Sequence, residues 1–311
     1  MIHPNTGARP TVCVVEPIHE DALSALRACV RLITPEENAM NRWVEEADAI
    51  IVRNNQISGT DIAAARKLKV IGKHGAGTDT IDIEEAARRG IPVLSTPGVN
   101  AASVADLAVA MAMSLARNLS GHTEALRAGT PLAGQKRIGF EMAELPPGII
   151  GFGAIGRAVA QRLQTGFGAP VMAYDPFVPE TAWPPEIARA QTVDALVRNS
   201  RLLFLHVGLS DETRGMIGAD QLSAMPANSF LINCARGGVV DETALVNALT
   251  SGQLAGAASD VFEQEPPSPD HPLLQHPGFI ATPHIGASTE AGLRRTGLEV
   301  VNKVLAALNG Q

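Results

Sequence analysis

The chain is short of the residues that several function classes need. Aromatic residues fill 4% of its 311 positions, and tyrosine occurs once, at Tyr174. Single-strand nucleic-acid platforms stack bases on aromatic rings, so no such platform is expected. Basic residues are scarce too: Lys and Arg total 25 against 32 Asp and Glu, a formal net charge of −7. Duplex binding rests on neutralising phosphates, and an acidic chain without a basic tract excludes nucleic acid as an expected partner. Cysteine occurs three times, at Cys13, Cys29 and Cys234, with no CxxC pair. That spacing indicates neither a disulfide framework nor a metal site, and suits reduced thiols in a cytoplasmic protein. Long hydrophobic runs are missing as well. The most apolar helix-like stretch, residues 107–116, is far shorter than the roughly 20 residues of a membrane span. Residues 1–10 are polar and lack the apolar segment of a signal peptide, so no membrane partner is expected.

What is present describes an α/β protein in two parts. Hydrophobic residues are 45% and charged residues 18%, a globular balance. At roughly 150 residues per domain the length implies two domains, each able to bury a core without staples. The 29 glycines and 21 prolines fit many tight turns between short elements. Strand-like apolar runs at 11–15, 49–52, 70–71 and 91–94 alternate with helical periodicity at 19–29, 58–68 and 83–89, and Gly90 ends the last of these helices. Residues 101–116 read as a long apolar helix, and 118–147 as a crossover without a clear period. The alternation restarts at Gly148, with runs at 171–174, 202–206, 230–233, 256–261 and 279–281 before a closing helix at 289–308. Such alternation implies two doubly wound domains with parallel sheets.

The sharpest local motif is GxGxxG at Gly151, Gly153 and Gly156, between a short apolar run and a helical stretch. The first glycine allows a tight turn, the second lets backbone approach a pyrophosphate, and the third lets helix pack on strand. The helix N-terminus, with Ala154 and Ile155, then offers N–H groups to the phosphates. A second strand ends in Asp175, 19 residues after Gly156. A carboxylate at that spacing accepts bonds from both ribose hydroxyls and repels a 2′-phosphate, so the expected cofactor is NAD. Pro146 and Pro147 remove two backbone donors just before the first strand and are expected to shorten its start.

Three later segments each place a chemically able residue at a strand end: Arg236 in Asn-Cys-Ala-Arg-Gly-Gly, Glu265 before Pro266, and His284 in Thr-Pro-His-Ile-Gly. Ligands of open α/β sheets bind outside the carboxyl ends of the strands, so these three are candidates for one site. His206 also ends a strand, but no carboxylate motif pairs with it, and it reads as packed or cofactor-adjacent. His271 and His276, in a Pro-rich loop, read as solvated. Glu263 competes with Glu265 for the role of orienting carboxylate.

With these segments, Gly75-Ala76-Gly77-Thr78-Asp79, Thr96-Pro97-Gly98, Val104-Ala105-Asp106 and Gly286-Ala287-Ser288-Thr289, the chain resembles the D-isomer-specific 2-hydroxyacid dehydrogenase family over nearly its whole length. Within the family it resembles phosphoglycerate dehydrogenases and hydroxypyruvate reductases. The resemblance implies a Rossmann NAD-binding domain at 100–284, inserted into a flavodoxin-like substrate domain made of 1–99 plus 285–311. It implies a homodimer, with 101–116 and 118–147 as contact elements, and a cleft that closes over cofactor and substrate. Arg236 matches the arginine that binds the substrate carboxylate, a task suited to a planar guanidinium. His284 matches the general acid, and Glu265 the carboxylate that orients it and favours its imidazolium. His206, Cys234, Ala235 and Asp260 match positions near the cofactor. Gly75, Ala76 and Gly77 match a loop that holds the substrate carboxylate, with Arg53 and Lys73 as further substrate contacts or as plain surface charges.

The implied reaction moves a hydride between nicotinamide and a small D-2-hydroxy acid or 2-oxo acid: 3-phosphoglycerate, hydroxypyruvate or glyoxylate. A second reading is an NAD(H)-sensing corepressor-like scaffold without turnover. With the sequence ending at Gln311, no regulatory extension and no serine feedback are expected. Asp106 stands where the family commonly has Glu, and Gly208 where it commonly has Pro.

Overall fold

Short runs of apolar β-branched residues give the first unit its strands. The computed structural model of the chain describes residues 9–38 and 41–310, so most of the polar start and Gln311 lie outside the described residues. The chain divides into two compact units, Met1–Asn100 with Ala287–Gln311, and Ala101–Gly286. In the first, β1 (Thr11–Val14), α1 (Glu20–Cys29), β2 (Arg31–Ile33), α2 (Trp43–Glu46), β3 (Ala49–Val52), α3 (Gly59–Ala64), β4 (Val70–Lys73), α4 (Ile83–Arg88) and β5 (Val93–Leu94) follow in turn. The strands form a parallel sheet in the order β2-β1-β3-β4-β5, the flavodoxin-like winding. Strands β1 and β3 are fully buried, as strands covered on both faces must be. Helices begin where a side chain can accept an orphan N–H: Ser58 caps α3 and Asp82 caps α4.

The second unit carries α5 (Ala101–Ala116), α6 (Leu119–Arg127), β6 (Pro147–Ile150), α7 (Ala154–Phe167), β7 (Met172–Tyr174), β8 (Ala188–Arg189), α8 (Val193–Arg198), β9 (Leu202–Leu205), α9 (Ala219–Ala224), β10 (Ser229–Asn233), α10 (Glu242–Thr250), β11 (Leu254–Ser259), α11 (Pro272–Gln275) and β12 (Phe279–Ala281). Its seven-stranded parallel sheet runs β12-β11-β10-β9-β6-β7-β8, which is the Rossmann order with one added strand. The winding reverses between β6 and β9, the place where such sheets open a crevice. Helix α12 (Glu290–Leu308) then returns to the first unit and buries Val300, Val301 and Val304 there. Each such valine contributes roughly 1.5–3 kcal/mol.

Three local expectations change. Residues 118–147 hold α6 and two short 3-10 turns, Gly134–Arg137 and Met142–Glu144, rather than an aperiodic crossover. Helix α6 buries none of its residues. Pro147 does not shorten β6; it is the first residue of the strand, paired with Leu202, and the Pro146 carbonyl accepts from the Arg201 N–H at 2.9 Å. The first strand position tolerates a missing donor. His271 is not solvated: its Nε2 lies 3.1 Å from Glu242 Oε2, and its Nδ1 accepts the Leu273 N–H at 3.3 Å.

Candidate active site

The glycine loop joins β6 to α7, and its geometry explains each glycine. Gly151 has φ +89°, and a Cβ there would overlap the His206 carbonyl. A Cβ at Gly156 would overlap the Gly151 oxygen, so α7 crosses the loop at backbone contact. Around Gly153 a Cβ would meet nothing. Gly153 is also the N-cap of α7, without a side-chain cap, and the first turn has no acidic residue. Gly153 and Ala154 are exposed, while Ile155 packs partly on the core. The result is an open backbone cradle at a helix N-terminus, which fits a pyrophosphate.

Asp175 follows β7 directly. Its Oδ2 accepts the Phe152 N–H at 2.8 Å and its Oδ1 the Phe177 N–H at 2.9 Å. Two backbone donors therefore fix the carboxylate beside the loop, and each oxygen keeps a further lone pair for a hydroxyl. His206 follows β9 and stacks on Phe204, with ring centroids 6.3 Å apart. Both its ring nitrogens are buried without a hydrogen-bond partner, and burial pushes the imidazole down to about 3. Orphaned polar atoms at the switch-point end of the sheet suit a site that a polar ligand completes.

Strand β10 ends in a turn built by Asn233. Its side-chain oxygen accepts the Ala235 N–H at 3.0 Å, and its Nδ2 donates to the Arg236 carbonyl at 3.0 Å. Asn233 thus wraps Cys234 and Ala235, both buried, and sets the direction in which Arg236 leaves the strand. Burial pushes the Cys234 thiol up, which makes it a packing residue and not a nucleophile.

Asp260 directly follows strand β11 and is 3% exposed. Its Oδ1 accepts the Thr282 hydroxyl at 2.6 Å and the Ile285 N–H at 2.7 Å, and its Oδ2 accepts the Gly286 N–H at 2.7 Å. The Asp260 carbonyl takes the His284 N–H at 2.8 Å. One aspartate therefore holds the whole turn after β12. His284 sits in this turn at φ +52°, a left-handed conformation that costs a non-glycine residue about 1–3 kcal/mol and persists only where neighbours over-determine it. Its Nδ1 lies 2.7 Å from Glu265 Oε2, and Glu265 Oε1 accepts the Phe262 N–H at 3.1 Å. Burial alone would raise the Glu265 carboxyl. The hydrogen bond and charge of His284, the Phe262 N–H and the nearby Arg236 outweigh it and hold the carboxyl below the usual range. Glu263 is exposed and does not take this role.

In the first unit, Lys73 is 5% exposed; its Nζ bonds the Arg53 carbonyl and, at 3.0 Å, the Thr80 hydroxyl. The Arg53 guanidinium bonds the Ser288 hydroxyl. Gly75, at φ +140°, is fixed by Thr96, whose hydroxyl accepts the Gly75 N–H at 2.9 Å and whose N–H reaches the Gly75 carbonyl at 2.8 Å. Ala76 is exposed and Gly77 half-buried in the bend that follows. Sequence reasoning misses Asn233, Thr282, Thr96, Glu242 and His271 as supports of these residues. Asn233, Thr96 and Thr282 leave only the signal of a polar residue at or just beyond a strand end, and Glu242 and His271 sit at the starts of helices α10 and α11; neither signal is specific.

A seven-stranded Rossmann sheet with an open glycine cradle, a fixed carboxylate at the second strand and a His–Glu pair at later strand ends defines a dinucleotide-binding α/β protein. Residues 109–286 match the family described as D-isomer specific 2-hydroxyacid dehydrogenase, NAD binding domain. A D-3-phosphoglycerate dehydrogenase of Methanocaldococcus jannaschii is 37% identical over 308 residues, 96% of this chain but 58% of that protein. A hydroxypyruvate reductase of Thermotoga maritima is 37% identical over 312 residues, 97% of this chain and 99% of that protein. The crystal structure of the TT0316 protein from Thermus thermophilus superposes with a TM-score of 0.86 at 32% identity, covering 97% of each chain. The chain belongs to the D-isomer specific 2-hydroxyacid dehydrogenase family, and its second unit is the family's NAD-binding domain.

Proposed function

We propose that this chain is an NAD-dependent dehydrogenase that interconverts a small 2-oxo acid and its D-2-hydroxy acid. The Glu265–His284 pair, 2.7 Å apart in the unit with the glycine cradle, is the observation that carries this reading. Glu265 engages Nδ1, which leaves Nε2 as the ring nitrogen to hand a proton to a carbonyl oxygen. Arg236 is the cation for the substrate carboxylate and polarises the adjacent carbonyl. The reduced nicotinamide, when bound, supplies the hydride. Gly151, Gly153, Ala154, Ile155 and Gly156 hold its pyrophosphate, and Asp175 its ribose. His206, Cys234, Ala235 and Asp260 shape the remaining wall, with Asp260 acting chiefly by holding the His284 turn.

We assign residues 100–284 to cofactor binding and residues 1–99 with 285–311 to substrate binding. Gly75, Ala76, Gly77 and Arg53 are the substrate contacts this assignment favours. Lys73, already engaged with the Arg53 carbonyl, supports them from below. The working place is the cytoplasm, in keeping with Cys13, Cys29 and Cys234 being free thiols. A homodimer is supported by apolar residues left bare along α5, α6 and the following segment: Met113 is 40% exposed, Leu119 54%, Leu126 69% and Ile138 68%. Among the described residues no helix is long and apolar enough to cross a membrane.

The test is a panel of hydroxypyruvate, glyoxylate and 3-phosphohydroxypyruvate, with 3-phosphoglycerate in the reverse direction, followed by nicotinamide absorbance. We expect turnover of at least one acid, with NADPH used at about a tenth of the NADH efficiency or less, because a carboxylate at Asp175 would repel a 2′-phosphate. Tight NADH binding with no turnover of any acid would defeat the proposal.

A further inference from the structure

The peptide joining Phe262 to Glu263 is gripped from two sides. On one side lies Gly237, immediately after Arg236. A Cβ there would overlap the Phe262 carbonyl and the Glu263 nitrogen, so the two backbones touch. On the other side, Glu242, the first residue of α10, accepts the Glu263 N–H through Oε1 at 2.9 Å. Its Oε2 pairs with His271 Nε2 at 3.1 Å. His271 Nδ1 accepts the Leu273 N–H, which leaves Nε2 to donate to Glu242. The His271 ring also meets the Phe262 ring edge-on, with centroids 5.7 Å apart. From this peptide the path to the His–Glu pair is one step, because the Phe262 N–H is bound by Glu265 Oε1 while Oε2 holds His284.

We propose that Glu242, braced by His271, is a positioning residue for the proton donor. It fixes the peptide between Phe262 and Glu263, and through it the aim of Glu265 on His284 and the register of Glu265 against Arg236. The proposal rests on the reading of His284 as the acid. Glu242 itself does not touch substrate or cofactor. The charged groups that face this assembly are Arg236 and His284 around Glu265, and Glu242 and Asp270 around His271. Two carboxylates therefore share the loop. One serves the histidine that moves a proton, and the other holds the backbone that carries the first.

The test uses the full chain and three substitutions: Glu242→Ala, Glu242→Gln and His271→Phe. Glu242→Ala should lower kcat about tenfold, the order of loss expected from a misplaced catalytic group, with the Kd for NADH unchanged within about twofold. The pH at which kcat/KM is half-maximal should shift with it. Glu242→Gln keeps an oxygen for the Glu263 N–H and should restore most of kcat and the wild-type pH profile. His271→Phe keeps the ring contact with Phe262 but removes the brace, and should give a smaller loss with the same direction of pH shift. Should Glu242→Ala fail to fold, His271→Phe carries the test. Hydrogen exchange reads the structural half without any turnover: the Glu263 amide should exchange about tenfold faster or more in Glu242→Ala. An unmoved pH profile, or equal losses in the Ala and Gln variants, would overturn the positioning role. An inactive wild type with a protected Glu263 amide would instead defeat the hydride-transfer reading, and with it the role toward the proton donor, while the grip of Glu242 on the peptide stood.

Discussion

His206 and His284 show how one residue type is given opposite fates by its surroundings. His284 is partly exposed, carries a carboxylate on Nδ1 and sits in a strained turn held by Asp260. His206 is enclosed with no partner on either nitrogen, and burial drives it down to about 3. Its effect on stability has a definite sign. Below about 6.5 the unfolded chain binds a proton that the native His206 refuses, so stability falls as the pH drops from there toward 3, by about 1 kcal/mol per pH unit. His74, also lowered by burial, acts in the same direction. Glu265 acts lower on the scale: its contribution is present above the ordinary carboxylate value and is lost only as pH falls through its depressed native value. Urea unfolding at pH 7.5 and pH 5 should therefore show His206→Phe losing about 1–2 kcal/mol less than wild type over that interval. Equal losses would mean that the native ring is protonated normally. Arg236, Glu265 and His284 are legible in the sequence because each sits in a local motif at a strand end. Glu242 and His271 are not, because what they do depends on partners that only the fold brings near.

At the scale of elements, the strands are legible because β1, β3 and β9 are continuous apolar runs with no exposed face. Elements that bury nothing are harder. Helix α6 has no buried residue and follows Asn118, which is in a left-handed conformation. Pro147 departs from expectation because a lost donor matters less at the first position of a strand than within it. The join of α7 to β6 is an exacting contact of the second unit, since Gly156 crosses the Gly151 oxygen with no room for a methyl. Gly156→Ala should lower the melting temperature by several degrees and weaken NADH binding more than tenfold, measured by thermal unfolding and by NADH fluorescence. Wild-type affinity in that variant would contradict the close crossing. By contrast, the Asp106–Arg162 pair that ties α5 to α7 at 2.7 Å is two-thirds exposed on its acidic side, and is worth about 0.2–1 kcal/mol.

For the molecule as a whole, two parallel sheets with different windings follow from one repeated strand–helix rhythm, and the motifs tell which sheet takes the dinucleotide. The chain spans 57–58% of the archaeal phosphoglycerate dehydrogenases it matches and nearly all of a hydroxypyruvate reductase. The bare apolar side chains of α5 and α6 predict self-association. Sedimentation should give a dimer, and Leu126→Asp with Ile138→Asp should shift it to monomer with each unit still folded; a monomeric wild type would contradict this. Hydride transfer with His284 as proton donor is tested most directly by mass-spectrometric detection of deuterium in the 2-hydroxy acid formed from NADH carrying two deuteriums at C4. Wild type should give one deuterium per product molecule, and His284→Ala that still binds NADH should form product slower by roughly 10²–10⁴. Product without deuterium, or an undiminished rate in His284→Ala, would contradict it.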